Sequence, residues 1–271
     1  MKTASPIRTD AAPFSDEQTA HYIETYQRDG FCLIPGVLQA DEIAALRAGV
    51  DRVFETQETS PANNRLSDFI AVRLFETDPI FEEMLTREPI ISLVEKILGD
   101  DCHIIAQNTV RNNPGQALDF FHVDDRVMFP VADGQERHLP GAILPHFILT
   151  VQMLLTDVEN VEFGPTEYVP GSHFSGREPN SKSDPEFEGR KAVPVLCKAG
   201  DIYLHNGQCW HRGAPNTSTR TRYLLHHAFG QRWVSQRFYP FLNYQMPEHV
   251  IANADERRLR VLGKHPSGAY G

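Results

Sequence analysis

His122 and Asp124 stand two residues apart in Phe120-Phe-His-Val-Asp124, a spacing that puts both side chains on one face of an extended strand. An imidazole beside a carboxylate supplies two members of a facial 2-His-1-carboxylate set, which holds iron(II) on one side and leaves the other open to oxygen and a chelating cosubstrate. The third ligand must come from elsewhere, and His211 in Cys209-Trp-His-Arg-Gly-Ala-Pro215 is the best candidate. Arg222 follows at the head of the apolar run Tyr223-Leu-Leu225. Inside a barrel its guanidinium can pair bidentately with the distal carboxylate of a keto diacid such as 2-oxoglutarate. Two plainer readings stand beside this one: a structural carboxylate-histidine pair, and Arg222 as a surface cation next to Arg220. Spacing alone does not choose between them.

Bringing such residues together takes a sheet with support behind it. Ser15 to Arg28 carries spaced apolar residues, and Asp41 to Val53 sets Ile43, Leu46 and Val50 on one stripe, so both read as helices. Between them Gly30 to Gly36 reads as a short strand ending in a turn. Asn63 to Phe69 has loop composition, and Pro79 to Leu98 reads as helix, break at Pro89, and helix. From Asp101 the chain turns to short apolar or alternating runs: Ile104-Ile105, Leu118 to His122, Phe147 to Leu155, Tyr168-Val169, Val193 to Leu196, Ile202 to Leu204 and Arg222 to Phe229. These predict a largely antiparallel sheet region. Helices on the outside of one β-sandwich need this order, so the expectation is a single domain over 1–271, with helical support over about 15–100 and the strand core over about 101–245. Arg126 to Pro145 and Phe174 to Arg190 exceed ordinary hairpin loops and are candidate rim or lid segments.

Composition narrows the partners. Lys and Arg number 26 against 36 Asp and Glu, a formal charge of -10 that argues against a nucleic-acid surface. The start from Met1 to Asp10 lacks the apolar stretch of a secretory signal and no run is long enough to cross a membrane, so the expectation is a soluble, cytoplasmic protein with no membrane partner. Cys32, Cys102, Cys197 and Cys209 are too sparse and too far apart for a disulfide framework and read as packed thiols.

Longer stretches carry a resemblance. Asp29 to Arg47 (DGFCLIPGVLQADEIAALR), Phe121 to Asp124 (FHVD), Phe163 to His173 (FGPTEYVPGSH) and Ala199 to Tyr223 (AGDIYLHNGQCWHRGAPNTSTRTRY) together resemble the phytanoyl-CoA dioxygenase family of non-haem iron(II), 2-oxoglutarate-dependent oxygenases. The segments lie in the family's order and span most of the chain. The resemblance implies an all-β core with flanking α-helices, a double-stranded β-helix or cupin-like jelly roll with the site in its mouth. It places the iron ligands on His122, Asp124 and His211 and the 2-oxoglutarate-binding arginine on Arg222, with dioxygen as the second cosubstrate. Related halogenases have a small residue in place of the carboxylate, so Asp124 points to hydroxylation.

Other positions are less specific. Gln152 sits where the family places a side chain near the cosubstrate, although a cross-strand hydrogen bond suits it equally; Gln107 and Asn108 are weaker candidates for the same task or for touching substrate. His173 reads better as a partner of local backbone groups than as a ligand, His205 as a hydrogen-bonded core histidine with a cavity-facing position as the alternative, and of His226 and His227, on opposite strand faces, one is expected to face the cavity. Asn216-Thr-Ser reads as a buried turn rather than a glycan acceptor. Arg126, Arg137, His138 and Arg177 are placed to recognise an acidic substrate group, while Phe120, Phe121, Val127, Met128 and Phe129 suit an apolar one. The aromatic stretch Phe229 to Tyr244 can close the entrance, pack into the core or form a homodimer contact.

The expected activity is oxidation, most simply hydroxylation, of an unactivated C-H bond in a small-molecule substrate with release of succinate and carbon dioxide, in natural-product biosynthesis. The alternatives are a catabolic hydroxylase of a polar metabolite, an oxygenase or isomerase that turns over without forming succinate, and a noncatalytic jelly-roll binding protein. A family name does not fix a substrate, since one fold hosts many reactions.

Overall fold

In a computed structural model of the protein, residues 5–55 and 67–266 are described. Of the loop expected over 63–69, only 67–69 fall among them, as irregular backbone. The first half comprises α1 (Asp16–Asp29), β1 (Phe31–Ile34), α2 (Ala40–Glu55), β2 (Ile70–Val72), α3 (Pro79–Glu83) and α4 (Ile90–Leu98). Then come β3 (His103–Asn112), β4 (Leu118–His122), β5 (Ile148–Leu154), β6 (Thr166–Tyr168), β7 (Glu186–Phe187), β8 (Arg190–Lys191), β9 (Val193–Pro194), β10 (Ile202–His205), β11 (His211–Gly213) and β12 (Arg222–Gly230), followed by α5 (Glu248–Ala252) and α6 (Glu256–Val261). The helices have local causes. Ser15 and Gln18 close a capping box at the start of α1, and Gly30, at φ 85°, ends it in the left-handed conformation.

The strands form a six-stranded sheet ordered β1-β10-β5-β12-β3-β2 and a four-stranded sheet ordered β4-β11-β6-β9, all pairings antiparallel. This is the jelly roll expected from the sequence. Period-two alternation gives the large sheet two different faces. Val151, Met153, Leu204, Leu225 and Phe229 point outward into a core shared with α2, α3 and α4. Their neighbours Thr150, Gln152, His205, Arg222, Leu224 and His226 point inward and line a cavity between the sheets.

One buried ion pair ties the helical layer to the strand that enters the sheet. The Arg87 guanidinium, 2% exposed, donates from Nε to Glu42 Oε1 at 3.0 Å and from Nη2 to Glu42 Oε2 at 2.8 Å; Glu42 is fully buried. Nη2 also reaches the Val37 carbonyl at 2.7 Å, just beyond β1. Breaking the pair leaves the Glu42 charge in the core with only the Arg8 and Gln39 N–H groups and the partly exposed Arg8 guanidinium, at 3.3 Å, to balance it. Arg87→Ala is therefore expected to lower stability by about 3–5 kcal/mol in urea denaturation, and a double exchange of Glu42 and Arg87 for Leu and Met to recover most of it. An unchanged midpoint in the single variant would show that the pair does not lock these layers.

Candidate active site

β4 and β11 are antiparallel neighbours, and His122 and His211 are direct partners in their register. That pairing brings the two imidazoles to a ring-centroid distance of 4.3 Å. The His122 Nδ1–H donates to the Phe120 carbonyl at 3.0 Å and the His211 Nδ1–H to the Cys209 carbonyl at 2.8 Å. Each bond selects a tautomer with a bare Nε2, and both bare nitrogens face Asp124. Asp124 Oδ1 lies 4.0 Å from His122 Nε2 and 3.6 Å from His211 Nε2, too far for hydrogen bonds, and one ligand atom from each residue falls within 4.8 Å of the others. Three electron-pair donors facing one another with no proton between them repel. A divalent cation among them removes the conflict, so this donor set fits iron(II).

Asp124 is held by its own apparatus. β4 stops at His122, so the carboxylate comes from just past the strand end rather than from the strand face expected from the sequence. The turn between β10 and β11 grips it: the Asp124 N–H donates to the Gly207 carbonyl at 2.6 Å, and Gln208 Nε2 donates to the Asp124 carbonyl at 3.1 Å. A Cβ on Gly207 would meet the Asp124 Cβ at 2.8 Å, so only glycine lets the turn lie this close. His205, fully buried on β10, donates from Nε2 to Asp124 Oδ2 at 2.9 Å. Burial pushes the His205 imidazole down to about 4, so it acts as a neutral donor. Burial alone would raise the Asp124 carboxyl, and the His205 hydrogen bond works in the opposite direction by favouring the ionised form. Sequence reading put His205 in the core but missed this partner; the Asn206-Gly207 turn signal between β10 and His211 was the available clue.

At the other end of the same cavity, of about 260 Å³, lies Arg222. It is buried, its Nη1 donates to the Gly164 carbonyl, and its buried Nε has no partner. Among the described residues no carboxylate pairs with it, and burial lowers its pKa. The surface-cation reading applies instead to Arg220, which is exposed and lies over the Phe163 ring at 3.8 Å. Gln152 lines the same cavity as Arg222 and the histidines. The Tyr203 hydroxyl donates to Gln152 Oε1 at 2.6 Å and contacts Thr166 Oγ1 at 2.6 Å, which fixes the amide and leaves Nε2 as a donor for the cavity. A larger surface cleft, of about 460 Å³ and lined by Arg47, Asp157 and Tyr223 among others, also reaches Arg222 but contains none of the three ligand candidates.

Gln107 is not in the site. Its amide faces the helical layer, where Oε1 accepts from the Phe75 N–H at 2.6 Å and Nε2 reaches the Phe81 carbonyl and His227, each at 2.9 Å. Its neighbour Asn108 takes the inward position, and across the ladder His226 points inward while His227 points out. His173 bonds the Gln27 carbonyl at 3.0 Å, and Asn216 donates to the Asn112 and Arg220 carbonyls in a buried turn. All four cysteines are buried free thiols.

The sequence model of the family described as "Phytanoyl-CoA dioxygenase (PhyH)" matches residues 26–224. The chain belongs to that family. It is thereby an iron(II)- and 2-oxoglutarate-dependent dioxygenase, using dioxygen as the second cosubstrate. Family members act on small molecules. An uncharacterized protein of Mycobacterium tuberculosis is 27% identical over 248 residues, 86% of this chain and 82% of the relative. The ectoine dioxygenase of Bordetella bronchiseptica is 28% identical over 177 residues, 62% of this chain and 54% of that enzyme. Among solved structures, HygX from Streptomyces hygroscopicus with nickel and 2-oxoglutarate bound shares the fold at a TM-score of 0.63 and 16% identity, over 83% of this chain and 90% of HygX. No helix among the described residues is long and apolar enough to cross a membrane.

Outer partners that orient a metal-binding carboxylate typically contribute 10- to 100-fold in affinity. His205→Phe is expected to weaken iron(II) or cobalt(II) binding by about that factor, with His205→Gln recovering part of it, as read by metal titration at an unchanged circular dichroism spectrum. Equal affinity in all three proteins would remove His205 from this role.

Proposed function

We propose that the protein hydroxylates an unactivated C-H bond of a small-molecule substrate, with His122, Asp124 and His211 as the iron ligands and Arg222 with Gln152 as the 2-oxoglutarate contacts. The observation that carries this reading is the buried Arg222 guanidinium, without an acid partner, in the same cavity as three converging bare ligand atoms. A buried charge is costly until it is paired. The distal carboxylate of 2-oxoglutarate supplies the missing anion, and the free Gln152 amide donor adds a hydrogen bond to the same molecule.

Bound iron, with 2-oxoglutarate and dioxygen, supplies the chemistry: one oxygen atom enters the alcohol, the other enters succinate, and carbon dioxide leaves. The chain's own contribution is positioning. The two carbonyl-bonded imidazoles keep their Nε2 lone pairs aimed at one point, and Tyr203 with Thr166 fixes the Gln152 amide. Burial pushes His122 below its ordinary value, so this nitrogen is free at neutral pH. Asp124 keeps a carboxylate where related halogenases have a small residue, which favours hydroxylation. Natural-product biosynthesis is the setting we favour, in keeping with the fold shared with HygX, another structure of which holds hygromycin B.

Anaerobic titration with iron(II) and then 2-oxoglutarate is expected to give a visible charge-transfer band that needs both additions. His122→Ala should abolish it. Arg222→Ala should weaken 2-oxoglutarate binding by about thirtyfold or more, the cost of stranding one partner of a buried charge pair. Folded, iron-loaded protein that develops no band would defeat the assignment of these residues.

A further inference from the structure

The large-sheet wall of the cavity carries two polar side chains that the chemistry above does not use. His226 on β12 and Asn108 on β3 are direct register partners, and both face the cavity. His226 is the single residue of β12 that keeps appreciable accessible surface, and Asn108 interrupts a buried run on β3. Among the described residues, neither side chain has a hydrogen-bond partner, and neither is sealed from the cavity. Across the sheet, His226 is paired with Gln152, and Gln152 with Tyr203, so this polar row runs beside the proposed cosubstrate position.

Two of the cations that line this cavity already have acidic partners. Arg237 donates to Asp125 Oδ2 at 2.7 Å, and Arg212 Nε to Glu167 Oε2 at 2.6 Å. The cations expected from the sequence to recognise an acidic group are elsewhere: Arg137 pairs with Glu188, Arg177 bonds the Ala132 and Gln135 carbonyls, and neither lines the cavity. Burial pushes the His226 imidazole down to about 4, so it faces the cavity uncharged. Ile70, Val110, Leu118 and Leu224 supply apolar surface nearby.

We infer that His226 and Asn108 are the polar contacts for the substrate, and that the substrate presents an uncharged hydroxyl, carbonyl or amide to them rather than a carboxylate, a phosphate or an acyl-coenzyme A. Each of the two side chains can donate and accept, which suits a hydroxylated or amide-bearing molecule. A polar wall built for such a group discriminates strongly against ligands that leave its hydrogen bonds unmade. The inference rests on the oxygenase reading of the same cavity.

The test uses three probe sets: myo-inositol, a methyl glucoside and caprolactam; benzoate and glycerol 3-phosphate; and hexanoyl-coenzyme A. Saturation-transfer NMR on the metal-free protein reads binding, and succinate release from the iron-loaded protein reads turnover. The neutral set is expected to bind and to stimulate succinate release, with both signals falling about tenfold in His226→Phe and Asn108→Leu and partly recovering in His226→Gln. The charge-transfer band with 2-oxoglutarate alone should survive these substitutions, which separates a failure here from a failure of the cosubstrate site. Preference for the charged or thioester probes, silence from all three sets, or equal response in His226→Phe would overturn the inference.

Discussion

A guanidinium buried without an acid sets the terms for the inner face of this jelly roll. Arg222 is placed on β12, between β3 and β5 in the large sheet, where solvent cannot compensate its charge. A core built only for stability would put an aliphatic residue there. The Gly164 carbonyl accepts one of its hydrogens, its buried Nε has no partner, and the residue lines the cavity. The outer face of the same strand offsets such a cost with Leu225 and Phe229 packed into the helical layer. One strand thus divides by alternation: Leu225 and Phe229 pack against the helical layer, while Arg222 and His226 face the cavity.

Asp124 faces the opposite difficulty, an anion that must stay ionised and still. Its backbone is tied to the Gly207 to Gln208 turn and one oxygen to His205, which leaves the other oxygen toward the two bare imidazole nitrogens. Neutral donors do this work. Asp125, next in the chain, takes a left-handed backbone at φ 59° and pairs with Arg237, which redirects the chain immediately after the carboxylate.

Much of this was legible in the sequence because residue type limits chemistry. The helical stripes of α2 and α4 and the alternating runs of β5, β10 and β12 declared themselves through apolar spacing, and the two histidines, the aspartate and Arg222 stood out as a set. Facing was harder. Gln107 and Asn108 are adjacent and chemically alike, and only the register of β3 against β12 decides which one turns inward; a one-residue shift exchanges them. β11 escaped notice because His211–Gly213 is short and carries no apolar alternation. His205 gave no sign of its partner, since contact with Asp124 depends on a turn closing across a sequence separation of 81.

The direct pairing of His122 with His211 has a consequence for how such an enzyme can change over time. Their separation is ruled by the ladder between β4 and β11, not by the length of any connection. The irregular stretches over 126–145 and 176–185 can therefore lengthen, shorten or change composition without altering the distance between the two imidazoles. Loops of this kind are free to drift toward new substrates while the strand register preserves the oxidant. A scaffold whose reactive centre is insulated from its own variable parts can diversify one substitution at a time and remain an oxygenase at every step.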